Sequence, residues 1–163
     1  MDYHRDELKK VAREALAVAR ENLLKYGHVQ PVGLVLHQDG LTHLFQLTFQ
    51  SIEEKRASQE AFRQVLRKVR ARAAVVVTES WLKVETGMRP DFTRSVADDP
   101  TRKEAIVIEA VSRQARCMII QVFGKDPSGK VRFDSTMEPE NPFEWWSEWL
   151  DGVWSETEAK WST

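Results

Sequence analysis

The sequence contains one cysteine, Cys117, among its 163 residues, so an intrachain disulfide cannot form. A single thiol is typical of proteins that fold in a reducing compartment, and we expect a cytoplasmic protein. No apolar run approaches the roughly 18 residues of a membrane-spanning helix. The polar start of the chain, residues 1–7, lacks the apolar core of a secretory signal. We therefore expect neither a membrane segment nor export.

The chain also lacks an excess of charge of one sign, with 24 basic and 25 acidic residues and a net charge of -1. Without a basic field, we do not expect nucleic acid to be a partner. The Gly-x-Ser-x-Gly elbow, the glycine-rich phosphate loop, the dinucleotide fingerprint and the Pro-Cys-x-x-Cys zinc motif are all missing. We therefore predict no cofactor and no metal site. The 42% hydrophobic and 30% charged residues that are present indicate a globular chain.

Hydrophobic spacing predicts two long helices, at about 6–26 and 52–70. Gly27 follows the first as a C-terminal stop, and a capping box of Ser51 and Glu54 opens the second. Asn141 is placed to begin a short C-terminal helix. Alternating or continuous apolar runs predict strands at about 32–38, 41–47, 73–84, 103–111, 115–123 and 130–134.

Short connections between these strands indicate a mostly antiparallel sheet. We predict one α+β domain over residues 1–163, in which two long helices and a short C-terminal helix pack on five to six strands. Residues 86–101 show no periodicity and are expected to form a loop. Residues 138–163 form a tryptophan-rich, acidic C-terminal segment of the same domain.

Asp39-Gly40 predicts a two-residue hairpin turn between the first two strands. That register gathers most apolar side chains on one face of the hairpin. It also places His37 and His43 on opposite faces, where they cannot share a metal ion. His43 is then better interpreted as a hydrogen-bonded core residue.

The order of helices and strands resembles that of profilin-like folds of the roadblock and longin type. The Asp39-Gly40 hairpin, the helix start at residues 53–56 and the Glu79-x-Trp81 strand are similar to those of bacterial proteins of unknown function. The resemblance implies a single sheet packed against helices and a bacterial source. It implies no activity, because topology alone does not specify one.

Glu79 is the carboxylate best placed for chemistry, since it falls within a strand that is expected to be central. Burial would raise its pKa and suit it to acid–base catalysis. With His37 and Arg102 nearby, it would form the cleft of a small hydrolase or ligand-binding enzyme. The alternative is a structural glutamate paired with an arginine such as Arg102.

Charge is divided between two regions of the chain. Residues 55–72 carry seven basic side chains and one acid, whereas residues 134–163 carry eight acids and one base. The two patches are either solvated faces or surfaces that dock on each other, within one chain or between two.

Five of the six tryptophans lie in the C-terminal segment, where they either close the core or form an interface. We predict a non-enzymatic module that self-associates, for example as a homodimer, or docks a protein partner through this segment. The residues predicted to bind are Trp146, Trp149, Trp154, Arg63 and Arg67.

Overall fold

The computed structural model describes residues 4–82, 103–140 and 147–154. It confirms an α+β fold, in which a six-stranded sheet has the order β2-β1-β3-β4-β5-β6 and every neighbouring pair is antiparallel. The helices are α1 (Arg5–Tyr26) and α2 (Ile52–Lys68), and a 3-10 turn spans Glu148–Leu150. The strands are β1 (Val32–Leu36), β2 (Thr42–Gln46), β3 (Ala73–Leu82), β4 (Lys103–Ser112), β5 (Arg116–Lys125) and β6 (Val131–Met137).

Local signals at the helix ends are confirmed. Gly27 ends α1 in the left-handed conformation, with φ of +80°, which glycine adopts without strain. At the start of α2, the Ser51 hydroxyl accepts a hydrogen bond from the Glu54 amide at 3.1 Å. Neither helix is long and apolar enough to cross a bilayer within the described ranges.

The two helices pack on opposite faces of the sheet. Val75 and Val77 of β3 belong to the apolar cluster beneath α1, whereas Ala74 and Val76 belong to the cluster that contains Phe62 of α2. This division follows from the alternation of side chains along a strand. Gly33 of β1 permits the close approach of α2, since a Cβ atom there would lie 2.6 Å from the Phe62 ring.

The predicted two-residue hairpin turn is wrong. The His37 amide donates to the Leu41 carbonyl at 2.9 Å, so Gln38, Asp39 and Gly40 form a three-residue loop. Gly40 has φ of +87°, the left-handed position that such loops require. Asp-Gly is compatible with a two-residue and with a three-residue loop. The pairing of β1 with β2 determines that the loop has three residues.

The corrected register also overturns the predicted separation of the two histidines. His43 pairs with Val35, one residue out of step with the prediction. The rings of His37 and His43 therefore lie on the same face, stacked with their centroids 5.8 Å apart. A shift of one residue moves every side chain of a strand to the other face, so the predicted turn and the predicted faces of the two histidines are wrong together. The interpretation of His43 as a core residue is also wrong, because its side chain is exposed.

Several boundaries differ modestly from the predictions. Helix α2 ends at Lys68 rather than near residue 70, and β6 continues to Met137. The predicted loop at 86–101 and the predicted helix start at Asn141 lie outside the described residues. The described part of the C-terminal segment contains the 3-10 turn and a left-handed Gly152 with φ of +83°.

Candidate functional site

The structure does not bring Glu79 and His37 together. The Glu79 carboxylate accepts a hydrogen bond from the Val29 amide at 2.9 Å, just beyond the end of α1. His37 lies on the α2 side of the sheet, next to the residue of β1 that pairs with Ala73. Glu79 lies six positions after Ala73 along β3, a distance of roughly 20 Å. Arg102 lies outside the described residues.

Neither the cysteine nor a metal cluster forms a reactive centre in the part of the chain that the structure describes. Cys117 is buried beneath α1, and this burial raises the pKa of its thiol to about 11. Such a thiol is almost entirely protonated at neutral pH and is a poor nucleophile. No three His, Cys, Asp or Glu side chains among the described residues are grouped to hold a metal ion.

Arg63 and Arg67 of α2 lie against their own chain, with side chains that are each 16% exposed. Arg63 donates to the carbonyl oxygens of Trp149 and of Asp151, the latter at 3.1 Å. Arg67 lies 3.9 Å from the Glu60 carboxylate. The basic α2 patch thus contacts the acidic C-terminal segment within one chain.

Two of the predicted binding tryptophans take part in the same internal contact. Trp154 is 8% exposed, and its indole N–H donates to the Ala71 carbonyl at 2.9 Å. Trp149 packs against Phe62 of α2, with ring centroids 5.9 Å apart. Trp146 lies outside the described residues. The described indoles therefore close the α2-side core and leave little of Trp154 for a partner.

A buried polar clamp holds this segment on the sheet. Glu109 of β4 is 2% exposed and accepts from the Ser147 amide at 3.1 and 3.0 Å, and also from the Ser147 hydroxyl. Arg116 of β5 donates to the Ser147 carbonyl at 2.7 Å and to the Asp151 carboxylate at 2.8 Å. Sequence reasoning missed Glu109, although a lone glutamate within an apolar strand was a visible signal of a buried partner.

A cavity of about 260 Å³ lies beside the clamp, between α2, β3, β4 and residues 147–149. Phe49 and Trp149 form aromatic walls, and Lys55 lies with its ammonium 5.2 Å from the centre of the Phe49 ring. Gln59 and Thr78 also line it, together with two glutamates, Glu79 and the buried Glu109. The cavity combines charged groups of both signs, hydrogen-bonding groups and aromatic surface, as small polar ligands require.

A larger and more apolar groove of about 390 Å³ lies on the opposite face. Helix α1 packs chiefly on β3, β4 and β5, and the β1–β2 half of this face lies beside it. Val18 and Tyr26 of α1 form one wall, and Leu34 of β1 and Leu44 of β2 form the floor. We call this feature the α1 groove.

Strand β2 borders the α1 groove and, within residues 4–82, 103–140 and 147–154, is one edge of the sheet. Its sequence, Thr-His-Leu-Phe-Gln, contains no charged residue and no proline. Leu44, in its centre, is 61% exposed. An edge of this kind presents unprotected backbone groups to any strand that approaches.

Comparisons with known proteins do not assign a role to any of these features. No family model matches the chain, and neither a curated protein nor a solved structure matches it. The two candidate sites are therefore the polar cavity on the α2 side and the α1 groove with its open β2 edge.

Proposed function

We propose that this protein is a non-enzymatic binding and assembly module, which self-associates or docks a protein partner through the α1 groove and the β2 edge. One observation carries the proposal. Six large apolar side chains are exposed in the described ranges, and three of them, Val18, Tyr26 and Leu44, line the groove. A fourth, Leu41, directly precedes β2.

The physical reason is the width of the sheet. Six strands at about 4.8 Å spacing span roughly 25–29 Å, whereas one helix with its side chains is about 10–12 Å across. Helix α1 cannot cover the whole face, and its position over β3–β5 leaves an apolar strip beside it. Exposed apolar residues that lie together in a strip are typical of interaction sites.

The proposal moves the contact surface away from the residues predicted from sequence. Arg63, Arg67, Trp149 and Trp154 hold the C-terminal segment against α2 and the sheet. A partner would have to displace these internal contacts before it could bind them. The α1 groove needs no such displacement.

A photo-crosslinking amino acid at position 44 tests the proposal in cells of the native source. Position 24 provides a matched control, because Leu24 is also a leucine, is also 61% exposed and does not line the groove. We expect discrete protein adducts from position 44 and far fewer from position 24. Equal adducts from both positions, or none from either, would contradict the proposal.

Ligand binding in the polar cavity is a second candidate function, favoured by the convergence of Lys55, Gln59 and Thr78 between two aromatic walls. Because Trp149 lines the cavity, a bound molecule should change the tryptophan fluorescence. The test screens a panel of small polar metabolites and repeats each hit with Gln59→Phe, which fills the space without adding an indole. Hits that the filled variant abolishes support this function, and hits that it retains, or an empty screen, count against it.

A further inference from the structure

The hydrogen bonds that bracket β2 show which of its backbone groups face outward. The His37 amide donates to Leu41, and the Leu47 amide donates to Pro31, at 2.9 and 3.0 Å. In an antiparallel ladder, alternate residues bond to the neighbouring strand. The backbone groups of 41, 43, 45 and 47 therefore face β1, and those of 42, 44 and 46 face the open edge.

We propose that a second copy of this chain pairs its β2 with this edge, antiparallel and centred on Leu44. This inference rests on the proposed function and names the partner. The outward residues 42, 44 and 46 are symmetric about Leu44, so a two-fold axis through that residue satisfies both copies equally. The result is a continuous sheet of twelve strands across the dimer.

The side chains are complementary in this register. On the α1 side, Leu44 meets Leu44 of the partner subunit, and Thr42 meets Gln46 of the partner subunit. On the α2 side, His43 meets Phe45 of the partner subunit. Cross-strand apolar, aromatic and hydrogen-bonding pairs of this kind stabilise sheets. No pair places like charges together, because β2 carries no charge.

The absence of charged residues distinguishes β2 from edge strands that are protected against pairing with another chain. Natural edge strands usually carry lysine, proline or a bulge that blocks pairing with another chain. In this sequence 30% of residues are charged, yet the five residues of β2 contain none. Leu41 precedes the strand and is 66% exposed, which adds apolar surface at its end.

The proposed contact between the two β2 strands is short, and its small size limits its strength. Five residues of strand extend about 17 Å, and contacts of this extent lie toward the low end of specific interfaces, below about 1,200 Å² in total. We therefore expect a reversible dimer that grows with protein concentration. The two α1 grooves lie on the same face of the joined sheet.

Cysteine trapping under copper–phenanthroline oxidation tests the register. Residues 44 of the two copies would form a hydrogen-bonded pair with Cα atoms about 5.5 Å apart, within the 4.4–6.8 Å range of disulfides. We expect Leu44→Cys to form a covalent dimer rapidly. The control Leu24→Cys, equally exposed in the native chain, should not do so.

Mixing two different cysteine variants tests the register of the pairing more specifically. Thr42→Cys and Gln46→Cys should form a disulfide when the two variants are mixed, because residue 42 faces residue 46 of the other copy. Thr42→Cys alone should not, since its two thiols would lie four residues apart along the strand, at about 13 Å. Trapping of Thr42→Cys alone as efficiently as the mixture would overturn the register.

The outcomes separate this inference from the proposed function. A monomer by sedimentation at all concentrations, together with a different protein crosslinked to position 44, would overturn the self-pairing and leave the binding function standing. No trapped dimer and no crosslink at position 44 would remove both. Because positions 42, 44 and 46 are exposed, the variants should fold, and circular dichroism checks this.

Discussion

The two edges of the sheet are built in opposite ways. Strand β2 is uncharged and pairs regularly with β1. Strand β6 carries Arg132 and Asp134, and its pairing with β5 shifts register between Gln121 and Phe123. Charges and bulges are the means by which proteins protect an edge from other chains. Strand β6 therefore has the features that block pairing with another chain, whereas the described β2 edge lacks them.

The irregular edge is also tied to the core. Gln121 is fully buried beneath α1, and its amide donates to the Asp134 carbonyl at 2.7 Å. Arg20 of α1 donates to the Gln121 side-chain oxygen at 2.9 Å and lies 5.6 Å from the centre of the Phe133 ring. Helix α1 thus reaches β6 and secures its bulge. At the β2 edge the same helix leaves a groove.

The largest effect is expected at the β6 edge. Gln121→Leu removes the acceptor of Arg20 and the donor to the bulge, so buried polar groups lose their partners. We expect the free energy of unfolding to fall by about 3 kcal/mol, as measured by urea denaturation. The same substitution at the exposed Gln46 of β2 should change it by less than about 0.5 kcal/mol. Equal losses at the two edges would contradict the comparison.

Two thiols in one chain provide the next test. In Leu44→Cys, the new thiol is exposed at β2, whereas Cys117 lies beneath α1 with its pKa raised to about 11 by burial. From an ordinary value of 9.0, that shift lowers the thiolate fraction near pH 8 by about 100-fold. Alkylation with iodoacetamide, followed by mass spectrometry, should modify residue 44 at least about 100-fold faster. Comparable rates would show that the α1 side is not closed over Cys117.

A lysine introduced at one edge of the sheet or at the other should show which edge mediates self-association. Leu44→Lys would place two ammonium groups opposite each other in the proposed dimer. We expect the association constant to fall by about tenfold or more, as measured by sedimentation equilibrium. Thr136→Lys, at an exposed position of β6, should leave it unchanged. The reverse pattern would assign the contact to β6.

The smallest effect is expected in the β5–β6 turn. The pKa of Asp126 is lowered chiefly by the hydrogen bond from the Ser128 hydroxyl, and further by the Lys130 amide. A carboxyl group whose pKa is lowered on folding stabilises the native state above its unfolded pKa and loses this contribution as the pH falls. Asp126→Ala should therefore lower the melting temperature slightly at pH 7, and the difference should disappear as the pH falls below 3.8. A difference independent of pH would show that the carboxylate charge is not involved.

Local signals in the sequence sufficed for the two long helices and the six strands, but not for the predicted C-terminal helix, whose described residues form a 3-10 turn at Glu148–Leu150. Gly27 ends α1 and Ser51 begins α2 because these effects involve neighbouring residues only. Apolar spacing located the six strands, since each strand carries its own pattern of burial. The α+β class followed from their order.

The candidate site could not be predicted in the same way, because it depends on which elements lie beside each other. The Glu79 carboxylate meets a backbone amide 50 residues earlier in the chain. Trp154 belongs to the core because the Ala71 carbonyl lies within its reach. The sequence around Glu79 or Trp154 does not indicate which distant backbone group will form its hydrogen bond.

The sequence by itself determined where the helices and strands lie and how charge divides along the chain, because propensity, capping and hydrophobic periodicity act over a few residues. The tertiary structure decided the hairpin register, the internal role of the C-terminal tryptophans and the exposure of the β2 edge. Each of these depends on distant segments and on the position of α1 across the sheet. That position covers β3–β5 and leaves β2 open.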